Sequence, residues 1–333
     1  MTTATTTPTR TRPTVLPFLL RRLPSAIAVV AAGSVVVFAL LRLIPGDPAE
    51  ALAGSDAPPE AVAALRDDLG LTASPVSQYL SWIGSLLTLH PGRSLVIGGD
   101  IATLVGEAAG RTLLLTATAV LLAVVLALVV SVGAELVDRR WARSAATAFA
   151  TLGVALPTFV TGALAIIVFG VVFVVLPAGG VPRDGLLDRP DITAQYLLLP
   201  AVCLALPAAA ALTRFLDESV RTELGQPYAT TARALGIPRR RILLTQVLPN
   251  ALPPAVTVLG LQIGQLLGGA VIVEALLAWP GLGHLIHQAV AVRDYPVVQV
   301  LLLLSVVLFV VIQLVTDLIH ANLDPRIRLE GAR

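Results

Sequence analysis

Six stretches of this chain run without a charged residue for long enough to cross a bilayer: 23–41, 112–134, 144–182, 192–213, 242–273 and 295–316. A hydrocarbon core about 30 Å thick takes roughly 20 apolar residues in helical form. Inside that core every backbone N–H and C=O must be paired within the chain, which restricts such runs to helix. Only 13% of the residues are charged and the mean hydropathy is +0.85, whereas soluble domains carry about 25% charged residues. The expectation is an all-α polytopic membrane protein with six transmembrane helices.

A seventh uncharged run, "LGLTASPVSQYLSWIGSLLTLHPG" (69–92), is dotted with Ser, Thr, Gln, His and Pro. It reads as a short amphipathic helix outside the membrane. Arginine placement supports that reading, because short cytoplasmic segments collect positive charge. With six spans and an internal N-terminus, 16 of the 23 arginines fall inside, among them Arg139, Arg140, Arg143, Arg214, Arg221, Arg233, Arg239, Arg240 and Arg241. A seventh span would move the Arg239–Arg241 triplet to the outer face. The first run continues apolar to Ile44, longer than a signal-peptide core, and is read as a retained helix. The third run is too long for one straight crossing, and Pro157 in "GVALPTFVTG" marks a kink or an interfacial start.

The organisation that follows is a cytoplasmic tail (1–16), a first span (17–44), an external segment (45–110) and a membrane domain (111–320). A cytoplasmic C-terminal tail (321–333) closes the chain. The external segment should hold helices near 58–69 and 75–88, and "PAGGVPRDGLLDRPD" (177–191) should be an external loop. The largest cytoplasmic loop, 214–248, holds most of "YATTARALGIPRRRILLTQVLPNALPP" (228–254), whose end runs into the fifth span. There "YATTARAL" suits a short helix, Gly236 can take the left-handed conformation that ends it, and Pro238 suits the first position of a second helix. The arginine triplet would lie near lipid headgroups as an anchor. The small residues Ala229, Thr230, Thr231, Ala232 and Ala234 would form a knob suited to another protein's groove.

This loop resembles the coupling-loop signature of ABC importer permeases, and more closely its dipeptide, oligopeptide and nickel variant, Tyr-x-x-Thr-Ala-Arg-Ala-x-Gly. Tyr228, Thr231, Ala232, Arg233, Ala234 and Gly236 all agree with it, Leu235 standing where that family usually has Lys. "LLRLIPGDP" (40–48), "LGLTASPVSQYLSWI" (69–83), "NALPPAVTVLGLQIGQLLGGAVIVEALLAWPGLG" (250–283), "RDYPVVQ" (293–299) and "DPRIR" (324–328) look like further family landmarks in the same order. The resemblance implies a type I importer-like permease in the bacterial plasma membrane, both termini cytoplasmic. It further implies a second homologous permease subunit, two cytoplasmic ABC ATPase subunits and an extracytoplasmic solute-binding protein as partners, with membrane lipid around them and no nucleic acid. The segment holding Glu274, Trp279, Pro280 and Gly281 would form a short external gate. Peptide substrates follow from the resemblance, nickel chelates or another small solute being the alternative.

The residues agree with a chain that does not power transport itself. A lysine-free sequence has no Walker-type phosphate loop, so ATP and Mg are expected to be used by partner ATPases, and no cofactor or metal is expected on this chain. Pro249, Pro253 and Pro254 remove backbone donors near the start of the fifth span and suit a hinge there. Gly260, Gly264 and Gly268 in that span permit close helix approach. Gln262 and Gln265, polar at bilayer depth, are candidates to line a pathway, while Glu274 suits a structural role at the helix end. The rival class, an intramembrane enzyme, would draw on His284 and His287, but their i,i+3 spacing lacks the intervening Glu of a zinc helix. A secondary carrier would show internal repeats and embedded charge, and neither is evident.

Overall fold

The computed structural model describes residues 15–43, 48–53, 57–68, 70–181 and 189–323. The tails at 1–14 and 324–333, most of "IPGDP", and 182–188 of the external loop lie outside the described residues. Those that are described contain thirteen α-helices and no strand, only an isolated bridge pairing Arg93 with Asp100. Five helical stretches are long and apolar enough to span, Arg22–Leu43, Ile101–Val137, Pro190–Leu224, Arg239–Leu276 and Tyr295–Val315, and a bent helix pair makes a sixth if its two halves are counted as one span.

The spanning helices are α1 (Val15–Leu43), α5 (Ile101–Val137), α8 (Pro190–Leu224), α11 (Leu248–Leu276) and α13 (Tyr295–Leu323). The bent pair is α6 (Arg140–Ala155) followed by α7 (Thr158–Ala165), which runs on as a π-helical segment to Val172. The two halves meet at 108° around Pro157, whose missing N–H breaks the hydrogen-bond ladder. The third run is too long for one straight crossing, and the chain leaves the helix after Val172, short of the expected external loop. Gly180 donates its N–H to the Leu277 carbonyl, and Gly179 passes so close that a Cβ there would lie 2.4 Å from the same oxygen.

Helix α8 is the hub, with 61% of its most apolar window buried against 28% or less in the other spans. Its face of Ala201, Ala205, Ala208 and Ala209 meets Ala119, Ala123 and Ala127 of α5, in one cluster with Leu115, Leu204 and Leu266. Lipid gives no hydrophobic drive between helices, so close packing of small residues holds such a seam. Gly153 of α6 continues the logic, since a Cβ there would sit 2.5 Å from Ala210 Cβ. Pro200 and Pro207 lie inside α8 without ending it, as neighbouring helices permit. Helix α1 has 11% of its window buried and lies against α13, where Gly33 faces Val306.

The external helices occupy Pro48–Ala53 (α2), Pro59–Asp68 (α3) and Pro75–Leu87 (α4). Ser74 caps α4, its hydroxyl accepting from the Ser77 N–H, with Pro75 in the first turn. Tyr79 and Trp82 of α4 close around Phe38 of α1, and the Tyr79 and Ser34 hydroxyls lie 2.8 Å apart.

Candidate functional site

One end of the bundle gathers the ends of α5 and α8 and the starts of α6 and α11, and the loop between α8 and α11 hangs from it. Helix α9 (Pro227–Ala234) opens with Pro227 in its first turn and closes at Gly236, whose φ is +76°. Gly236 donates to the Arg233 carbonyl at 3.0 Å and Ile237 to the Ala232 carbonyl at 3.1 Å, the paired bonds of a Schellman cap. Pro238 stands one place earlier than expected, as the N-cap of α10 (Arg239–Ile242), not its first residue. From there the helix passes through a π turn (Leu243–Val247) into α11 with no break.

The expected small-residue knob divides by face. Ala229 and Ala232 point inward, fully or nearly buried with Leu216, Val220, Ile242, Leu243 and Val247. The outward face is Thr230, Thr231, Ala234 and Leu235, the last 75% exposed. Tyr228 donates to Glu223 Oε2 at 2.7 Å; burial, and then the Glu223 carboxylate, push its phenol up. Arg233 folds back, donating to the Leu224 carbonyl at 2.6 Å and the Ala229 carbonyl at 3.2 Å, so it ties α9 to the end of α8.

Arg239 differs from the anchor expected of the triplet. Its guanidinium bridges Glu135 Oε2 at 2.6 Å and Asp138 Oδ2 at 2.7 Å, while Arg143 donates to Glu135 Oε1 at 3.1 Å and also pairs with Asp138. Asp138, at φ +52°, caps α5 and turns the chain into α6. This four-charge cluster fixes the root of α10 to the α5–α6 corner. Sequence reading missed it, although Glu135 and Asp138 are the acids that close the second charge-free run, beside three arginines.

At the opposite end, Glu274 is fully buried, and its Oε2 accepts the Gly283 N–H at 2.7 Å at the start of α12 (Leu282–Ala291). Gly281 must lack a side chain, for a Cβ there would stand 2.2–2.5 Å from the Glu274 carboxylate. Trp279 is fully buried, and its Nε1 donates to the Arg111 carbonyl at 3.2 Å; Leu282 donates its N–H to Thr112 Oγ1 at 2.9 Å. Glu274, Trp279 and Gly281 thus fasten the turn and α12 to α11 and α5, with Pro280 partly buried between them. At the other end of α12, Asp294 is fully buried and accepts from the Ser94 hydroxyl and from the N–H groups of Val96 at 2.9 Å and Ile97 at 3.0 Å. Asp294 stood in a quoted landmark, and only its clasp on a loop two hundred residues earlier was missed. Burial, with His287 adding to it, pushes the His284 imidazole below its ordinary range.

Gln262 is partly buried and Gln265 exposed on α11. Gly264 packs toward Ile312 of α13 while Gly268 faces open space, so the glycine series serves more than one surface. Beyond Gly268, an apolar cleft of about 730 Å³ opens between α11 and α12, lined by Val271, Ile272, Leu276, Ile286 and Val290.

These features define a polytopic helical membrane protein with an arginine-rich loop at one end and a fastened short helix at the other. The chain belongs to the binding-protein-dependent transport system inner membrane component family, whose model matches residues 119–329, and the N-terminal model of the same components matches residues 15–101. It is an ABC importer permease and not an enzyme. It is 34% identical, over 313 residues covering 94% of this chain and 99% of each relative, to the glutathione transport system permease protein GsiC of Escherichia coli K12 and to that of Salmonella typhi. A solved amino acid ABC transporter with histidines is 17% identical at a TM-score of 0.48, covering 66% of this chain and 92% of that one.

Proposed function

We propose that this chain forms half of a peptide-translocating pathway, pairing with a second, homologous permease. Two ATPase subunits would bind the loop end and a solute-binding protein would deliver substrate to the opposite end. The carrying observation is the contrast within α9: a clamped inner face and an exposed tip of Thr230, Thr231, Ala234 and Leu235 above Gly236. A knob held by Arg233 and Arg239 transmits displacement into α11, because α10 continues into that helix. The loop end then faces the cytosol, in keeping with its arginines, and both termini lie on that side. Gln262 and Gln265 line the pathway, and the turn at Glu274–Gly281 with α12 forms its outer gate. The second permease covers the apolar α11–α12 cleft. Similarity to glutathione permeases, whose named cargo is itself a small peptide, supports a peptide substrate.

The complex purified in mild detergent is expected to contain a second permease and two ATPases. A lone chain that transports by itself would overturn the assignment. Binding-protein selectivity decides the cargo: a binding protein that holds only a metal chelate and ignores peptides would replace peptide with chelate. Orientation is read by labelling Arg241→Cys in a Cys203→Ala background with a membrane-impermeant maleimide, where labelling only after the cells are opened supports a cytosolic loop.

A further inference from the structure

The loop end carries a second feature that the coupling role does not use. An open cleft of about 1090 Å³ lies between α6, α8, α9 and α10, and five arginines from these four helices line it: Arg140, Arg143, Arg221, Arg233 and Arg239. Glu135 is the one acid in its wall, and it is already engaged by Arg143 and Arg239. Neither the Arg140 nor the Arg221 guanidinium makes a hydrogen bond or a close ion pair among the described residues, Arg221 being drawn only through space by the Asp217 carboxylate one turn earlier, so both planar forks can turn to an incoming anion. Such forks match the oxygens of a phosphate two at a time.

The rest of the wall says what bears the phosphate. Along α6 it is formed by Thr147, Ala148, Thr151 and Leu152, all exposed, with the two threonine hydroxyls turned back onto the Arg143 and Thr147 carbonyls and Leu152 61% exposed. Helix α6 runs beside α8 to where Gly153 meets Ala210, inside that candidate span, so the trough runs from the charged mouth along a helix apolar enough to lie in lipid. A free anion has no use for such a trough, and neither has an acidic protein segment. A molecule with an anionic head and an acyl chain fills both parts.

We propose that this cleft is a binding site for an anionic phospholipid, its phosphate held by Arg140 and Arg221 and an acyl chain lying along α6. Basic pockets between spanning helices on the cytoplasmic side are suited to such headgroups. The bound lipid would join α6 and α8 to the root of the coupling loop. The proposal rests on the cytosolic reading of this end only in naming the leaflet that supplies the lipid.

The test uses the full importer complex in nanodiscs of phosphatidylcholine alone or mixed with phosphatidylglycerol, followed by release into the mass spectrometer. Retention of phosphatidylglycerol over phosphatidylcholine is expected, with a several-fold loss in Arg140→Gln/Arg221→Gln and partial retention in Arg140→Lys, which keeps charge but not the fork. Arg241→Gln, outside the cleft, should leave retention unchanged. Equal retention in the double variant, or an equal loss in Arg241→Gln, would show general charge attraction and overturn the site. Thermal stabilisation by inorganic phosphate alone that matched the lipid's would make it a free-anion site. If lipid stayed on the permease pair only until the ATPases bound, and the double variant lowered ATPase recovery, the cleft would be an ATPase contact instead. Because lipid retention is read separately from the orientation of Arg241→Cys, failure here leaves the importer assignment standing.

Discussion

Arg239 donates from Nη2 to Glu135 Oε2 at 2.6 Å, joining the start of the helix below the coupling loop to the end of α5 across 104 positions. Glu135 has a 6% exposed side chain and serves two arginines, each more than a third exposed. Removing one partner of a fully buried pair costs about 3–5 kcal/mol. Here the arginines reach water, so Glu135→Gln should cost about 1–2 kcal/mol, with weaker coupling of ATP hydrolysis to transport. Thermal unfolding of Glu135→Gln, Arg239→Gln and the double variant should give an interaction energy of about 1 kcal/mol. Strict additivity would mean the pair holds nothing together.

Gly236 has no atom within 4 Å of where a Cβ would be, so its requirement is purely one of backbone, at φ +76°. A β-branched residue there should cost about 1–3 kcal/mol of local strain, while Asn, which tolerates the left-handed region, should cost less. Gly236→Val is expected to leave assembly intact and to lower transport per ATP hydrolysed, and Gly236→Asn to fall between it and the natural protein. Normal transport by assembled Gly236→Val complexes would remove the loop from the coupling path.

Asp294 is desolvated, which by itself raises a carboxyl's pKa, but the hydrogen bonds from Ser94 and from the Ile97, Val96 and Leu95 N–H groups outweigh burial and hold it below its ordinary range. A depressed folded value means the clasp is fully stabilising above the unfolded pKa and is lost as pH falls through the folded one. Stability against Asp294→Asn should therefore differ by about 2 kcal/mol at neutral pH and converge below about pH 4. A gap that persisted unchanged into acid would show that the Asp294 charge is not what the loop grips.

Gly283 lies against α11 so closely that a Cβ would meet Val271 Cα at 2.4 Å and its carbonyl oxygen at 2.5 Å. Backbone does not yield as a side-chain tip does. Gly283→Ala should cost about 1–3 kcal/mol and lift α12 from α11, reducing substrate-dependent ATPase stimulation more than basal hydrolysis. Cross-linking efficiency between cysteines placed at Val271 and Ile286 in a Cys203→Ala background would fall in the same variant. Unchanged cross-linking would place the glycine's role elsewhere.

The spans and the α9 turn were legible because both depend on local signals: uncharged length for the first, and Gly236 and Pro238 for the second. Helix ends were less so, as α8 continues about three turns past its charge-free core through Arg221 to Leu224 and α5 takes in Glu135 before ending at Val137, charged residues outside the apolar run yet inside the helix. The tertiary pairings were out of reach. Nothing near Asp294 in the sequence points to Ser94, and nothing near Arg239 points to Glu135, because each match is made by the packing of α12 or α10 after folding. Ala229 and Ala232 show the limit within one helix: composition identified a small-residue segment, but only the neighbouring Leu216 and Ile242 decide which alanines turn inward.

The corner at Pro157 has a mechanical meaning. One arm of the bent pair lies along α8, where Gly153 meets Ala210, and the other, through Gly162 and Leu276, lies against α11. A straight rod would carry an axial push from one face of the membrane to the other. Two arms that meet at 108° do not form such a rod. If α9 is the ATPase contact proposed above, a push on it would pass into α10 and α11, which run on as one helical stretch from Arg239 to Leu276, and not along the bent pair.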